Sequence, residues 1–459
     1  MKTFEVQVPD APEDVGAAPA ALADDVARLT QTVQSQSTAL AQLSAATIAQ
    51  AAALKALTDA MPAPNATLWN RVMGACTGKK NYDDPTFMAA MAKCRMVTLG
   101  LYKGWRGDVN GSKVRPLLQA LKQLNPNLLI GQYTQITECP NDPLNPANAS
   151  RLDEIQRLTS QNEWLRTSAG APVQYTSEYQ SFDVNFTEFT KPDATGKRYA
   201  QWAAQHDYDM RFGPCPEFDL WFHDNVMWRS RQTTPANWRL DGRDVNGNVD
   251  VAMQAAWRRG MASHIAEAER LAPSVVKMGN ADNDLSFPEY AGLLDAAFLE
   301  GLIGKNWSLE TNGGWKAMMQ RYRTVLRNVK DRSLTVFHVA GAAADYPTFR
   351  YGLCSALLED GLFCYSTTDY GVPLAYDEYD VQLGEPDEDP PIEPFTGEVW
   401  ARRYAGGIVF VNAGKSAASF HIPSGYRRFL GLQAPEVNTG RALVGLTLNP
   451  RDGIVLVTA

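Results

Sequence analysis

The chain of 459 residues has no basic excess: 43 Lys and Arg stand against 51 Asp and Glu, a formal net charge of −8. A general nucleic-acid binder usually carries the opposite sign, so no such partner is expected. No run of 18 apolar residues occurs, and no membrane span is expected. The opening MKTFEVQVPDAPEDVG lacks the apolar core of a secretory signal, so Sec export is not expected. Without that route Asn-x-Ser/Thr sites such as those at Asn65, Asn148, Asn185 and Asn306 read as chance matches. Histidine is scarce, five in all, with no HExxH or HxH spacing, so no metal or other cofactor is expected. The six cysteines, at 76, 94, 139, 215, 354 and 364, form no CxxC pair and are too sparse for a disulfide scaffold. They read as reduced, partly buried thiols.

The composition that remains is ordinary and globular, 45% hydrophobic and 20% charged. Eleven Trp and 17 Tyr supply flat amphipathic rings, suited to stacking on sugars and equally to a large core. Residues 1–20, rich in Pro, Ala and acids, read as a flexible arm. A heptad pattern follows over 21–62: Val26, Leu29, Val33, Gln36, Leu40, Leu43, Thr47, Gln50, Leu54, Leu57 and Met61 recur at spacings of three and four. No Gly or Pro interrupts 22–60, and Pro62 and Pro64 end the run. The pattern predicts a coiled coil that joins copies of the chain through 22–61, a trimer ahead of a dimer. The alternative is an Ala-rich helix packed on its own domain.

From residue 68 short apolar runs alternate with helical stretches, the pattern of βα units around a parallel sheet. Strands are predicted at 96–102, 127–136, 218–226, 274–282, 293–303, 334–341 and 362–370, with 184–189 the best candidate for an eighth. Helices are predicted at 114–124, 253–271, 314–329 and 346–361. Eight such units over 68–376 fit a TIM (β/α)8 barrel of the α/β class; an open doubly wound sheet is the alternative. Residues 377–395 read as an acidic, Pro-rich linker, with eight acids and no Lys or Arg over 377–394. Short β runs split by Gly, Pro and Asn over 396–459 predict a small antiparallel sandwich of five to seven strands.

In such a barrel the reacting groups stand at the C-terminal ends of strands. Two predicted strands end in an acid: Asp224 in DLWFHDN and Glu300 in DAAFLEG. Alternation puts Leu220, Phe222 and Asp224 on one face, and Phe298 with Glu300 on one face. Desolvation raises the pKa of a carboxyl past a buried run, and a neighbouring carboxylate raises one partner further. That pairing of one protonated and one ionised acid is what glycoside hydrolysis requires. A helix cap or an Arg partner would explain a lone acid equally well. Tyr102, Trp105, Tyr133, Asp282, Trp307, His338, Asp369 and Tyr370 are the further candidates for substrate contact, with Asp282 and Asp369 as reserve catalytic acids.

The series WLRTSAGAPV (164–173), VNFTEFTKPDATGKRYAQW (184–202), FDLWFHDNV (218–226), AAFLEG (296–301) and YDEYDVQLGEP (376–386), running into a terminal β domain, resembles the hypothetical glycosyl hydrolases with TIM-barrel folds that stand near polygalactosaminidase-like enzymes. The resemblance covers roughly 90–450 and matches Asp224 and Glu300 to the family's acids. The chain departs at Phe218 and Asp219, where the family often has Asp-Gly, and at His223, where a small or apolar residue is usual. The resemblance implies a glycoside hydrolase. Arm, coil and glycosidase-like domain without a secretion signal look like a phage tail fibre or depolymerase, released by lysis. The expectation is an oligomeric hydrolase of a bacterial surface or exopolysaccharide on a virion tail, with Asp224 as nucleophile or base and Glu300 as general acid. The alternatives are a non-catalytic glycan- or receptor-binding virion protein on a degenerate barrel, a purely structural virion protein, and a cytoplasmic or otherwise released location.

Overall fold

The computed structural model describes residue 24 and residues 26–42, 67–78, 82–100, 114–177 and 180–459. Two compact units divide the chain between residues 60 and 61. In the first, 26–42 is helical and every described residue is exposed. Val26, Leu29, Val33 and Leu40 are among the exposed large apolar side chains. Thr30, Thr32 and Thr38 turn their hydroxyls back to carbonyls four residues earlier, which spares those oxygens no solvent but keeps the polar side chains on the helix. The heptad positions from Leu43 to Met61 lie outside the described residues, as does the arm at 1–20.

The second unit holds eight parallel strands: β1 (Met73–Cys76), β2 (Met96–Leu99), β3 (Leu129–Thr134), β4 (Leu220–Val226), β5 (Val276–Ala281), β6 (Ala296–Ile303), β7 (Val336–Ala340) and β8 (Leu362–Ser366). They pair in chain order. A parallel bridge between Val72 and Phe363 joins the first to the last, so the sheet is a TIM barrel. Strands buried on both faces read as near-continuous apolar runs, which is why the pattern was legible in most of them. Inside, Met73, Met96, Leu220, Phe222, Met278, Phe298, Val336 and Leu362 fill the core. Outward residues meet the helices, as Phe337 meets Tyr322 edge-on with ring centroids 5.1 Å apart.

The helices are α1 (Pro85–Lys93), α2 (Val114–Leu124), α3 (Leu152–Ser160), α4 (Tyr199–Asp207), α5 (Val251–Leu271), α6 (Leu309–Asn328) and α7 (Tyr346–Leu357). Asp84, Asp250 and Asp345 cap α1, α5 and α7 by accepting a first-turn N–H. α6 breaks at Gly314, where φ is +80°, so its predicted start at 314 marks the kink and not the N-terminus. The crossover from β5 to β6 runs through turns, without a regular helix. β3 and β4 are joined instead by a long excursion that carries α3, α4 and a two-stranded ribbon, Glu138–Cys139 paired with Phe182–Asp183.

The expected strand at 184–189 is not one. Asn185 accepts hydrogen bonds from the Thr187 N–H and hydroxyl, a local turn that competes with extended pairing. The eighth strand is β1, whose sequence MGAC has no β-branched residue; it is a strand because β2 and β8 flank it. All six cysteines are free and buried.

Beyond the barrel, β9 (Val399–Tyr404), β10 (Gly407–Asn412), β12 (Tyr426–Arg428) and β14 (Asp452–Thr458) form one antiparallel sheet, and β11 (Ala418–His421) pairs with β13 (Gly445–Leu448). Val399, Ile408, Phe410, Leu446, Ile454 and Leu456 make the core between them. Most of the domain's aromatics are spent on burial: Trp400, Tyr404, Phe410 and Phe429 are buried, and Phe420 and Tyr426 partly so.

This domain is bolted to α7. Arg350 holds Asp452 with two hydrogen bonds of 3.0 Å, both side chains nearly dry. A Cβ at Gly453 would stand 2.7 Å from the Arg350 carbonyl, so β14 can lie this close to α7 only without a side chain there. The Tyr404 hydroxyl donates to the Leu357 carbonyl, and Trp315 meets Trp400 at 5.2 Å. The acidic stretch is no free linker either. Asp377 accepts the Leu432 and Gln433 N–H groups at 2.5 and 2.6 Å, Asp380 accepts from the Trp69 indole, and Glu378, Tyr379 and Leu383 are buried.

Removing one partner of a buried ion pair leaves the other charge unpaired, at a cost of about 3–5 kcal/mol. Asp452→Ala is therefore expected to lower the unfolding free energy by that order, read from denaturant melts. Deleting 396–459 should give an insoluble barrel; a stable, soluble one would show that the docking is dispensable.

Candidate active site

The C-terminal mouth of the barrel opens into a cavity of about 530 Å³. Its floor is the upper layer of the barrel core, with Met73, Ala75, Phe222 and Phe298. Above them stand Tyr133 from β3, Asp224 from β4, Asn280 from β5, Glu300 from β6 and, just past β8, Tyr370. Alternation along β4 and β6 carries Phe222 and Phe298 into the core and the acid two residues later into the cavity.

Both acids sit at an irregularity. The pairing of β4 with β5 shifts register between His223 and Val226, and that of β6 with β7 between Leu299 and Ile303. The residue after each acid is left-handed, Asn225 at φ +57° and Gly301 at +56°. A bulge re-aims a side chain at the rim of a barrel, and here it does so twice. His338, expected as a substrate contact, fixes the second bulge. Its Nδ1 accepts the Gly301 N–H at 2.8 Å, so the proton is on Nε2, which donates to the Ser366 hydroxyl at 2.8 Å. Burial pushes the His338 imidazole down to about 4, which keeps it neutral in this role. It positions Glu300 through the backbone and is itself fully buried.

The Asn280 amide joins the acids. Its Nδ2 donates to Asp224 Oδ1 and to Glu300 Oε2, each at 2.9 Å. The two oxygens are thus no more than twice that distance apart. Two N–H bonds at the trigonal angle separate them by about 5 Å. Tyr133 donates to Asp224 Oδ2 at 2.6 Å, the Asn225 N–H to Oδ1 at 2.9 Å, and the Asn225 amide to Oδ2 at 3.2 Å. Tyr370 donates to Glu300 Oε1. Burial raises the Asp224 carboxyl above the ordinary aspartate value, the Glu300 charge adds to this, and the donors from Tyr133, Asn280 and Asn225 oppose it. Burial and the adjacent carboxylates push both tyrosines up, so each remains an O–H donor.

Of the expected residues the cavity brings together Asp224, Glu300, Tyr133 and Tyr370. Trp307 is 54% exposed beside it, leaning over Gly301 so closely that a Cβ there would meet the indole at 2.8 Å. Asp282 is displaced: the chain has left β5, and its carboxyl accepts the Trp228 N–H at 3.3 Å, with burial pushing it up to about 6. Asp369 is exposed and accepts from the Thr367 hydroxyl, outside the cavity lining. Tyr102 and Trp105 lie outside the described residues. Asn280 was missed although it carries the same signal as the two acids, a polar residue two places after a core residue, Met278, at a strand end. Glu138 and Gln135 also line the cavity; they lie in the loop and short ribbon after β3, where no periodicity marks them, whereas Arg231, which from sequence reads as a solvated loop cation or a contact to an acidic sugar, lines the cavity too. Among the described residues no group of three His, Cys, Asp or Glu is arranged to hold a metal ion.

An eight-stranded barrel with two carboxylates converging at its C-terminal mouth defines a glycoside-hydrolase-like protein. The chain belongs to hypothetical glycosyl hydrolase family 15, whose sequence model matches residues 122–408. A search of curated proteins finds no match. Among solved structures, the glycoside hydrolase domain of PelA from Pseudomonas aeruginosa is similar at 14% identity, over 65% of this chain and 96% of that one, with a TM-score of 0.39. An Anoxybacillus alpha-amylase aligns at 8% identity over 86% and 99% of the two chains, TM-score 0.43. The trehalulose synthase MutB from Pseudomonas mesoacidophila aligns at 9% identity over 84% and 97%, TM-score 0.43. The fold assignment rests on the strand order and closure described above.

Tyr133 opposes the rise of the Asp224 pKa. In Tyr133→Phe that donor is gone, so the Asp224 carboxyl should rise further and ionise only at higher pH. The acid limb of the kcat/KM profile should move to higher pH, with the basic limb in place. An unmoved acid limb would show that Asp224 is not the group titrating there.

Proposed function

We propose that the protein is a retaining glycoside hydrolase that cleaves a bacterial surface or exopolysaccharide. The observation that carries this reading is the single Asn280 nitrogen bonded to both acids. Carboxyl groups about 5–5.5 Å apart suit a covalent, retaining mechanism, whereas inversion needs a wider gap for water.

Asp224 is the nucleophile in this scheme. Its oxygens receive donors from Tyr133, Asn280 and Asn225, which oppose the rise that burial and the Glu300 charge impose and hold the carboxylate for attack. Glu300 is the general acid and base. Among the described residues its oxygens receive Tyr370 and Asn280, and the Tyr370 hydroxyl can rotate away to make room for a proton on the carboxyl. Glu300 protonates the glycosidic oxygen as Asp224 attacks the anomeric carbon, and the leaving chain departs as an alcohol. Water then enters, Glu300 takes its proton, and the hydroxide expels Asp224 as a carboxylate, which Tyr133 and Asn280 stabilise. Phe222 and Phe298 beneath the pair lower the local polarity, which strengthens these interactions.

Assembly and place are parts of the same proposal. The exposed positions Val26, Leu29, Val33 and Leu40 support a coiled-coil trimer through 22–61, and an arm ahead of it suits attachment to a phage tail. Several active sites on one particle would hold a polymer by avidity.

Two measurements test this. Incubation with a panel of bacterial exopolysaccharides should release new reducing ends with retained anomeric configuration, and Asp224→Asn and Glu300→Gln should each lower the rate by about 10²-fold or more. Binding without cleavage would favour the non-catalytic receptor-binding reading. Separately, the full chain should have the solution mass of an oligomer and a chain beginning at Thr67 that of a monomer. Two monomers would remove the coiled coil from the scheme.

A further inference from the structure

Glu138 is the carboxylate in the cavity that the reaction above does not use. It is 6% exposed, lines the cavity, and stands at the head of the ribbon between β3 and β4. Its Oε1 is committed: the Gln135 amide donates to it at 2.9 Å and Arg231 Nη2 lies 3.3 Å away. Among the described residues its Oε2 has no hydrogen-bond partner. Across the same cavity the Thr98 hydroxyl, also buried, has none either. A buried carboxylate oxygen without a donor is costly, and native proteins leave few of them. Such an oxygen on a cavity wall is explained when the missing donor belongs to a ligand.

The position is specific. Arg231 Nη1 donates to Asn225 Oδ1 at 3.1 Å, and the Asn225 amide donates to Asp224. Glu138 is therefore two hydrogen-bonded residues away from the proposed nucleophile and lines the same cavity. Oε2 is buried at the cavity wall, but the last torsion of a glutamate is soft, and a small rotation presents the oxygen. Burial raises the Glu138 carboxyl and Arg231 opposes this. The charge around it is one-sided. Glu138, Asp224 and Glu300 line the cavity, and among the described residues Arg231 is the one cation in the lining, already paired with Glu138.

We propose that Glu138 is a specificity-determining residue whose Oε2 accepts a hydrogen bond from a ring hydroxyl of the sugar beside Asp224, with Arg231 and Gln135 fixing Oε1, and that the site takes uncharged sugars and rejects uronic acids. This rests on the glycosidase reading of the same cavity. A site built to hydrogen-bond a hydroxyl discriminates strongly against ligands that cannot supply it, and a ligand carboxylate would meet the Asp224 carboxylate and the Glu138 acceptor with the Arg231 cation already committed to Glu138.

Calorimetry on the full chain tests it, with neutral hexose oligosaccharides and with alginate and polygalacturonate oligosaccharides as probes. The expected result is measurable binding of at least one neutral probe, none of the uronates, and at least a tenfold loss of affinity in Glu138→Gln. That variant keeps the shape but turns an acceptor into a donor; its fold is checked by its melting temperature. Glu138→Asp, which withdraws the carboxyl by one carbon, is the second variant and should also bind more weakly. On a cleaved neutral polymer Glu138→Gln should raise KM at least tenfold with kcat within about threefold, unlike Glu300→Gln, which acts on kcat. Preference for uronates, binding of no neutral probe, or unchanged affinity in both variants would overturn the proposal. Weakened binding in the variants with no cleavage of any polymer would keep the subsite and overturn hydrolysis. Cleavage indifferent to Glu138 would do the reverse.

Discussion

Two carboxylates about 5 Å apart in a half-dry cavity repel one another. At an effective dielectric near 20 the repulsion is about 3 kcal/mol when both are ionised. The Asn280 amide lies between Asp224 and Glu300 and donates to each, so the group that sets their spacing also offsets their repulsion. A hydrogen bond to a charged group contributes about 1.5–3 kcal/mol, and two of them are of the size required. Tyr133 and Tyr370, one on each acid, extend the same solution outward. A neutral amide and two phenols, whose pKa values burial and the adjacent carboxylates push up, do this without adding charge.

That arrangement depends on strained backbone. Alternation along β4 and β6 faces the acids inward; the register shifts and the left-handed residues Asn225 and Gly301 that follow them set where each stands at the rim. Tyr370, also left-handed at φ +45°, is brought to Glu300 in the same way. At Asn225 and Tyr370 such a conformation costs energy and persists where the surroundings over-determine it, whereas Gly301 adopts it freely. The surroundings here are specific: His338 grips the Gly301 N–H from β7, Ser366 grips His338 from β8, and Trp307 and Lys305 cover the space a side chain at Gly301 would need. Farther down, α7 and its buried Arg350–Asp452 pair tie the β7–β8 crossover to the C-terminal sheet. The small domain is thereby tied to the side of the barrel from which the Glu300 supports come.

The barrel was legible because its strands are buried on both faces and its longer helices are periodic. α2 was expected at 114–124 and is Val114–Leu124; β4 was expected to end at 226 and does. β1 was not legible, since four residues of MGAC carry no propensity and become a strand only between β2 and β8. The acidic stretch at 377–394 read as linker for the opposite reason. Its charge is visible in sequence, whereas the N–H groups that Asp377 satisfies belong to residues more than fifty positions away.

The same division runs through the site. Asp224, Glu300, Tyr133 and Tyr370 were available to sequence reasoning because a polar residue at the end of an apolar run points into the mouth of a barrel, and alternation chooses the face. Sequence alone therefore determined the class of fold, the two acids and the strands that present them. It did not determine how far apart the acids stand, which of their oxygens are paired, or that Asp282 turns away while Asn280 takes its place. Those are properties of neighbouring strands, set by register and by two bulges, and no local pattern in a chain encodes the distance between residues that meet only when the barrel closes.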